Sequence, residues 1–167
     1  PYTTLFRSRL GESQILTSGK TYSDTFDYKT NGQTVPGNIF ELVISGSSTG
    51  ITAENLSVGI STYAPADSTT QMQTLAISVE SGAKTTFSGQ TFSAKVETDA
   101  YGTNHSQTAA LQNEASTVTI DADSADISAT SLAKNGKAVY AVSTGGPGAV
   151  TSFTGDTVVI RAVSNKI

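Results

Sequence analysis

Three carboxylates crowd one short stretch, Asp121, Asp123 and Asp126. Polysaccharide-cleaving enzymes work with acids at such density, one giving a proton while another activates water or attacks. That chemistry also needs a neighbouring Lys or Arg, or a second acid at a defined separation. Asp121 and Asp123 flank an expected turn, and no basic residue lies close to them in sequence. The cluster is therefore read as a solvated turn, and no catalytic residue is assigned.

Asp123 also belongs to a spaced set, Asp24, Glu54, Gln90, Asp123 and Asp156. If these stack, they form a ladder of oxygen ligands of the kind that suits calcium. Gln90 interrupts it, and an acid after a turn is ordinary, so the expectation is again solvated turns and no metal site. The run Gly145-Gly146-Pro147-Gly148-Ala149-Val150 is similar to the calcium nonapeptide but carries Val150 where that motif requires Asp. His105, the only histidine, sits in a polar stretch without a Gly-x-Ser-x-Gly elbow or a metal-spaced partner. Tyr63, Tyr101 and Tyr140 are candidates for ligand contact or for loop and core packing. No cofactor is expected, and the chain is read as not an enzyme.

Bulk composition narrows the classes further. The chain has 167 residues, enough for one domain with a core. Charged residues make up 14%, against roughly 25% in an average soluble domain. Ser, Thr, Gly and Ala fill the gap, a composition that favours strands. The net charge of −4 comes without any Lys/Arg cluster, which argues against nucleic-acid and anionic-membrane partners. The absence of cysteine excludes disulfides, thiolate metal sites and a Cys nucleophile. No apolar run approaches the length of a membrane helix.

The elements that must carry these residues repeat. From Ile120, a small residue follows at +2 (Ala122), an acid at +3 (Asp123), and alternating apolar positions at +5, +7 and +9 (Ala125, Ile127, Ala129). The same template fits from Ile51, Phe87 and Phe153, and more weakly from Thr21. These origins are 30, 36, 33 and 33 residues apart. A near-constant period in this range signals a repeat architecture. Each period holds three strand-like pieces: the approach to the origin, the +5 to +9 segment, and a later Ala-apolar segment (Ala76-Ile77, Ala110-Leu111, Ala141-Val142). Period-2 alternation dominates.

Three short strands per period describe one coil of a right-handed parallel β-helix, with about 4–5 coils in this chain. The columns Leu56/Phe92/Ala125/Val158 and Val58/Ala94/Ile127/Ile160 would fill its interior, and residues 61–73, 99–107 and 132–137 would be variable loops. A β-sandwich is the alternative. It accounts for turns and alternation but not for aligned columns.

Two resemblances remain. Pro1-Tyr2-Thr3-Thr4-Leu5-Phe6-Arg7-Ser8 resembles the translation of a short-read sequencing adapter. Residues 1–9 are accordingly set apart as an arm of non-biological origin, and 10–167 are expected to be one solenoid domain from a longer chain of environmental origin. The run Asn135 to Gly146, followed by Ala149 to Asp156, resembles the passenger domain of bacterial autotransporters, and Thr117 to Asp123 is similar to the same strand. The resemblance covers about Ser18 to Ile167. It implies a secreted β-helical stalk displayed on a Gram-negative outer membrane, with a structural or adhesive role. The implied partners are a protein or glycan ligand on a host or neighbouring cell, and adjacent coils of the same chain. Nucleic acid and membrane insertion of this segment are not expected. The alternatives are a piece of a β-helical carbohydrate-active enzyme or phage tailspike, and a β-sandwich filament or virion subunit.

Overall fold

Two parallel sheets wind up the molecule as a β-solenoid of about four turns. A computed structural model describes residues 4–11, 14–29, 38–64, 72–80, 82–100, 105–132 and 138–164. The short-strand sheet runs β1 (Thr4–Leu10), β3 (Asn38–Ile44), β5 (Met72–Val79), β7 (His105–Glu114) and β9 (Val139–Gly145). The long-strand sheet stacks β2 (Ile15–Lys29), β4 (Thr49–Ala64), β6 (Lys84–Ala100) and β8 (Thr117–Ser131), and ends with β10 (Val150–Phe153) and β11 (Thr157–Ser164), both on β8. Every strand pairing is parallel. No helix among the described residues is long and apolar enough to cross a membrane.

The expected columns are present in register, but they fill the interior only through β8: in the last coil Val158 and Ile160 are exposed, because no further coil covers them among the described residues. Ile51, Phe87, Ile120 and Phe153 stack in register, as do Leu56, Phe92, Ala125 and Val158. Phe87 and Phe92 are fully buried, with ring centroids 5.2 Å apart and tilted by 52°. Burying a side chain of this size contributes about 1.5–3 kcal/mol. Each coil obtains that burial only from its neighbours, which is why coils must stack.

The expected three strand pieces per coil are two strands here. The approach and the +5 to +9 segment form one continuous strand with a slip in phase. Along β8, exposure alternates until Asp123 and Ser124, which are both exposed, and then resumes with Ala125 buried. Only the last coil breaks at this point, into β10 and β11. The slip explains the small residue at +2. A Cβ on Gly89 would lie 2.1 Å from the Ala53 carbonyl oxygen, and one on Gly155 only 1.7 Å from that of Ala122. Ala and Gly alternate up this corner because backbone crosses there at close range.

The first copy of the template sits elsewhere than expected. Leu16, not Thr21, lies level with Ile51, and an irregularity between Thr17 and Gly19 lets Tyr22 meet Leu56, Asp24 meet Val58 and Phe26 meet Ile60. The expected placement put Phe26 level with Leu56. The bulge absorbs the difference, and it falls at Ser18, next to Gly19 with its φ of 70°.

β1 (Thr4–Leu10), all but its last residue set apart on the sequence, pairs with β3 from Thr4↔Asn38 to Leu10↔Ile44, and Leu10 is buried. An open parallel edge accepts any strand-competent segment of suitable length, whatever its origin. Of the expected loops, residues 65–71, 101–104 and 133–137 lie outside the described set. The strands that flank them extend further than expected, β4 to Ala64 and β6 to Ala100. Buried threonine pairs tie the strands on either side of two of these segments: Thr62 with Thr74 at 3.3 Å, and Thr98 with Thr108 at 3.1 Å.

Candidate functional site

The alternation that sends apolar residues inward lays Ser, Thr and charged residues on the outer face of the long-strand sheet. Three successive coils set Thr25, Gly59 and Lys95 in one outward column, with Asp27, Ser61 and Glu97 in the next. Gly59 contributes no side chain, so a notch opens at the centre of this grid. It measures about 270 Å³ and is bordered by Thr25, Asp27, Ser57, Ser61, Lys95 and Glu97. Ser61 donates a hydrogen bond to Asp27 across the coils. Lys95 Nζ stands 3.7 Å from Glu97 Oε1, with both side chains more than half exposed. An ion pair of that kind holds its geometry weakly and leaves both groups available to a ligand.

A second depression of about 470 Å³ adjoins the first and shares Ser61 and Glu97 with it. Tyr63, Asp99, Thr130 and Leu132 extend the lining. Tyr63 is 42% exposed and lies directly level with Asp99. Asp99 Oδ1 is buried and has no hydrogen-bond partner. Together the two depressions make one groove along the strand direction, lined by hydroxyls and carboxylates and, in the second, also by Tyr28, Thr62, Thr98 and Leu132.

A different polar group lies inside the first coil. Tyr22 and Asp24 occupy the levels of Leu56 and Val58 in the next coil. On the opposite sheet, Phe40 pairs with Leu75 and Leu42 with Ile77, which places Glu41 level with Ala76. Glu41 is fully buried. The Tyr22 hydroxyl faces the Asp24 carboxylate. Burial first, and then the Asp24 and Glu41 carboxylates, push its pKa up to about 12. Burial alone also raises that of Tyr28.

The sequence-derived candidates disperse. Asp121, Asp123 and Asp126 are all exposed, and Asp121 and Asp126 point to separate partners. Asp121 accepts a hydrogen bond from the Thr154 hydroxyl at 2.6 Å. Asp126 receives Arg161 Nη2 on both oxygens at 2.9 and 2.8 Å. The basic partner missing near Asp126 in sequence thus comes from the neighbouring coil. Its signal was the column alignment, since Arg161 stacks on Ser128, two residues along from Asp126. Glu54, Gln90, Asp123 and Asp156 are exposed at the corner, while Asp24 leaves their column for the interior. Among the described residues no three His, Asp or Glu side chains gather as metal ligands.

His105 opens β7 opposite Met72, and only its backbone is described. Tyr101 lies outside the described residues. Tyr140 is 43% exposed on β9, away from the groove. The Gly145–Val150 run is the turn from β9 to β10, with Gly146 at a φ of 89° and Gly148 at 72°. Sequence reasoning named Tyr63 but missed Gly59, Asp27, Lys95, Glu97 and Asp99. Reading the outward columns as it read the inward ones would have found them. No protein-family model, no curated protein and no solved structure matches the chain.

Proposed function

We propose that this chain is a non-catalytic, surface-displayed β-solenoid with a structural and adhesive role, a segment of an autotransporter-like bacterial adhesin. The observation that carries the reading is the in-register stack of long parallel strands, Ile51 over Phe87 over Ile120 over Phe153, dressed outside in Ser, Thr and dispersed charge. Such a stack spends its chemistry on neighbour-to-neighbour contact and offers a broad, stiff face to a partner. The acids that suggested catalysis serve that stack, with Asp121 and Asp126 each tied to the next coil. A ligand on a host or neighbouring cell is the partner this implies.

The test is adhesion. Beads coated with the purified chain are expected to adhere to bacterial or epithelial cells in a saturable way that soluble chain competes away. Coated beads that adhere no better than beads carrying an unrelated β-rich protein would sink the reading.

A further inference from the structure

Resting on the adhesive reading, we propose that the groove on the long-strand sheet binds a short neutral oligosaccharide, with Tyr63 as its stacking platform and Ser61, Glu97 and Asp99 as partners for its hydroxyls. Four observations converge on this class of ligand.

The first is shape. The groove runs along the strands from the Gly59 notch to Tyr63, about 13 Å at the usual strand rise, a length for roughly two or three sugar rings. The second is wall chemistry. Ser57, Ser61 and Thr130 offer hydroxyls, while Asp27, Glu97 and Asp99 offer acceptors. Vicinal sugar hydroxyls both donate and accept, so they match a mixed wall of this kind.

The third is the buried, unpartnered Asp99 Oδ1. An acceptor left without a donor costs about 1–3 kcal/mol, and a sugar hydroxyl that drew the carboxylate outward would supply the missing bond. The fourth is the pairing of one exposed aromatic with a polar groove. Tyr63 presents a flat apolar face and a polar tip, which suits the C–H face of a pyranose. A peptide ligand would call instead for several apolar anchor pockets, since buried aromatic and aliphatic anchors dominate protein interfaces.

Charge sets the specificity. Asp27, Glu97 and Asp99 outnumber the two cations near the groove, Lys95 and Lys29, the latter on β2 level with Tyr63. Uronates and sialates would meet net repulsion there, so the ligand is an uncharged sugar.

The experiment uses the full chain and four probes: cellotriose, maltotriose, triacetylchitotriose and polygalacturonate. Binding is followed by calorimetry and by backbone chemical shifts. At least one neutral trisaccharide is expected to bind saturably and to shift the amides of Gly59, Ser61 and Tyr63, with polygalacturonate giving no saturable binding. Gly59→Thr fills the notch, and its Cβ meets only ordinary contacts of 3.4 to 3.9 Å, so the fold is expected to hold. Gly59→Thr and Tyr63→Ala should each weaken binding at least tenfold with an unchanged thermal midpoint. Should Gly59→Thr unfold, Tyr63→Ala, at an exposed side chain, still decides. Absence of saturable binding by all three trisaccharides overturns the proposal, as does binding that both variants leave unchanged or a preference for polygalacturonate. Cell adhesion that survives Tyr63→Ala would overturn this inference and leave the adhesive role standing, with a protein ligand then favoured. Trisaccharide binding without cell adhesion would do the reverse.

Discussion

The first coil and the central coils share one backbone path and differ in what they put inside it. In the coils of β4, β6 and β8, the inward columns hold Leu56, Phe92 and Ala125, then Val58, Ala94 and Ile127, all essentially without exposure. In the first coil the same levels hold Tyr22 and Asp24, and Glu41 stands level with Ala76 on the opposite sheet. Parallel pairing persists in both regions. Backbone hydrogen bonds therefore propagate the coil once it is templated, while apolar columns decide how strongly it holds. The first coil has the path without the full packing.

Exchanging residues between the two regions tests this most severely. Val58→Asp places a carboxylate in a fully buried column and should cost more than about 4 kcal/mol, abolishing the cooperative melt. Phe92→Ala removes a fully buried ring that packs on Phe87, and urea unfolding should show a loss of about 3–5 kcal/mol. Its column mate in the first coil, Tyr22→Ala, should cost less than half as much. Equal losses would mean that the two coils are packed alike. Thr98→Val breaks the hydroxyl pair with Thr108 and should cost about 1–2 kcal/mol.

The reciprocal change, Asp24→Val, should raise stability by about 1 kcal/mol, since it replaces a poorly solvated carboxylate with the residue its column uses elsewhere. The Tyr22 hydroxyl gives a finer probe. Its folded pKa is raised, so its contribution is intact below the unfolded value of about 10 and declines as pH climbs toward 12. Ultraviolet titration should show one tyrosine ionising near pH 12, and Tyr22→Phe should remove that step. Smallest of all, Arg161→Ala at the opposite end should change stability by at most about 1 kcal/mol, because both members of the Asp126 pair are about half exposed.

How much the sequence disclosed follows the same division. The central columns were legible because a two-residue alternation with apolar side chains leaves a strong imprint, and four origins fell in register. The first coil misled because Tyr22 and Asp24 break the apolar pattern and the bulge after Thr17 shifts it, so the template slid onto Thr21. The groove stayed hidden for a different reason. Its centre is a residue with no side chain, Gly59, and its walls come from three coils, so no local motif announces it. The Arg161–Asp126 pair was invisible to any search confined to sequence neighbours.

The buried threonine pairs that join successive strands have an engineering consequence. Each pair fastens the end of one strand to the start of the next. A loop fastened at its root adds nothing to the rise of the axis, so its length and content can change while the rungs keep their spacing. Cargo peptides spliced between the strands that such a pair joins should therefore keep a height fixed by the rung that carries them. The solenoid then serves as a ruled scaffold, on which vertical position is encoded by coil number and lateral reach by insert length.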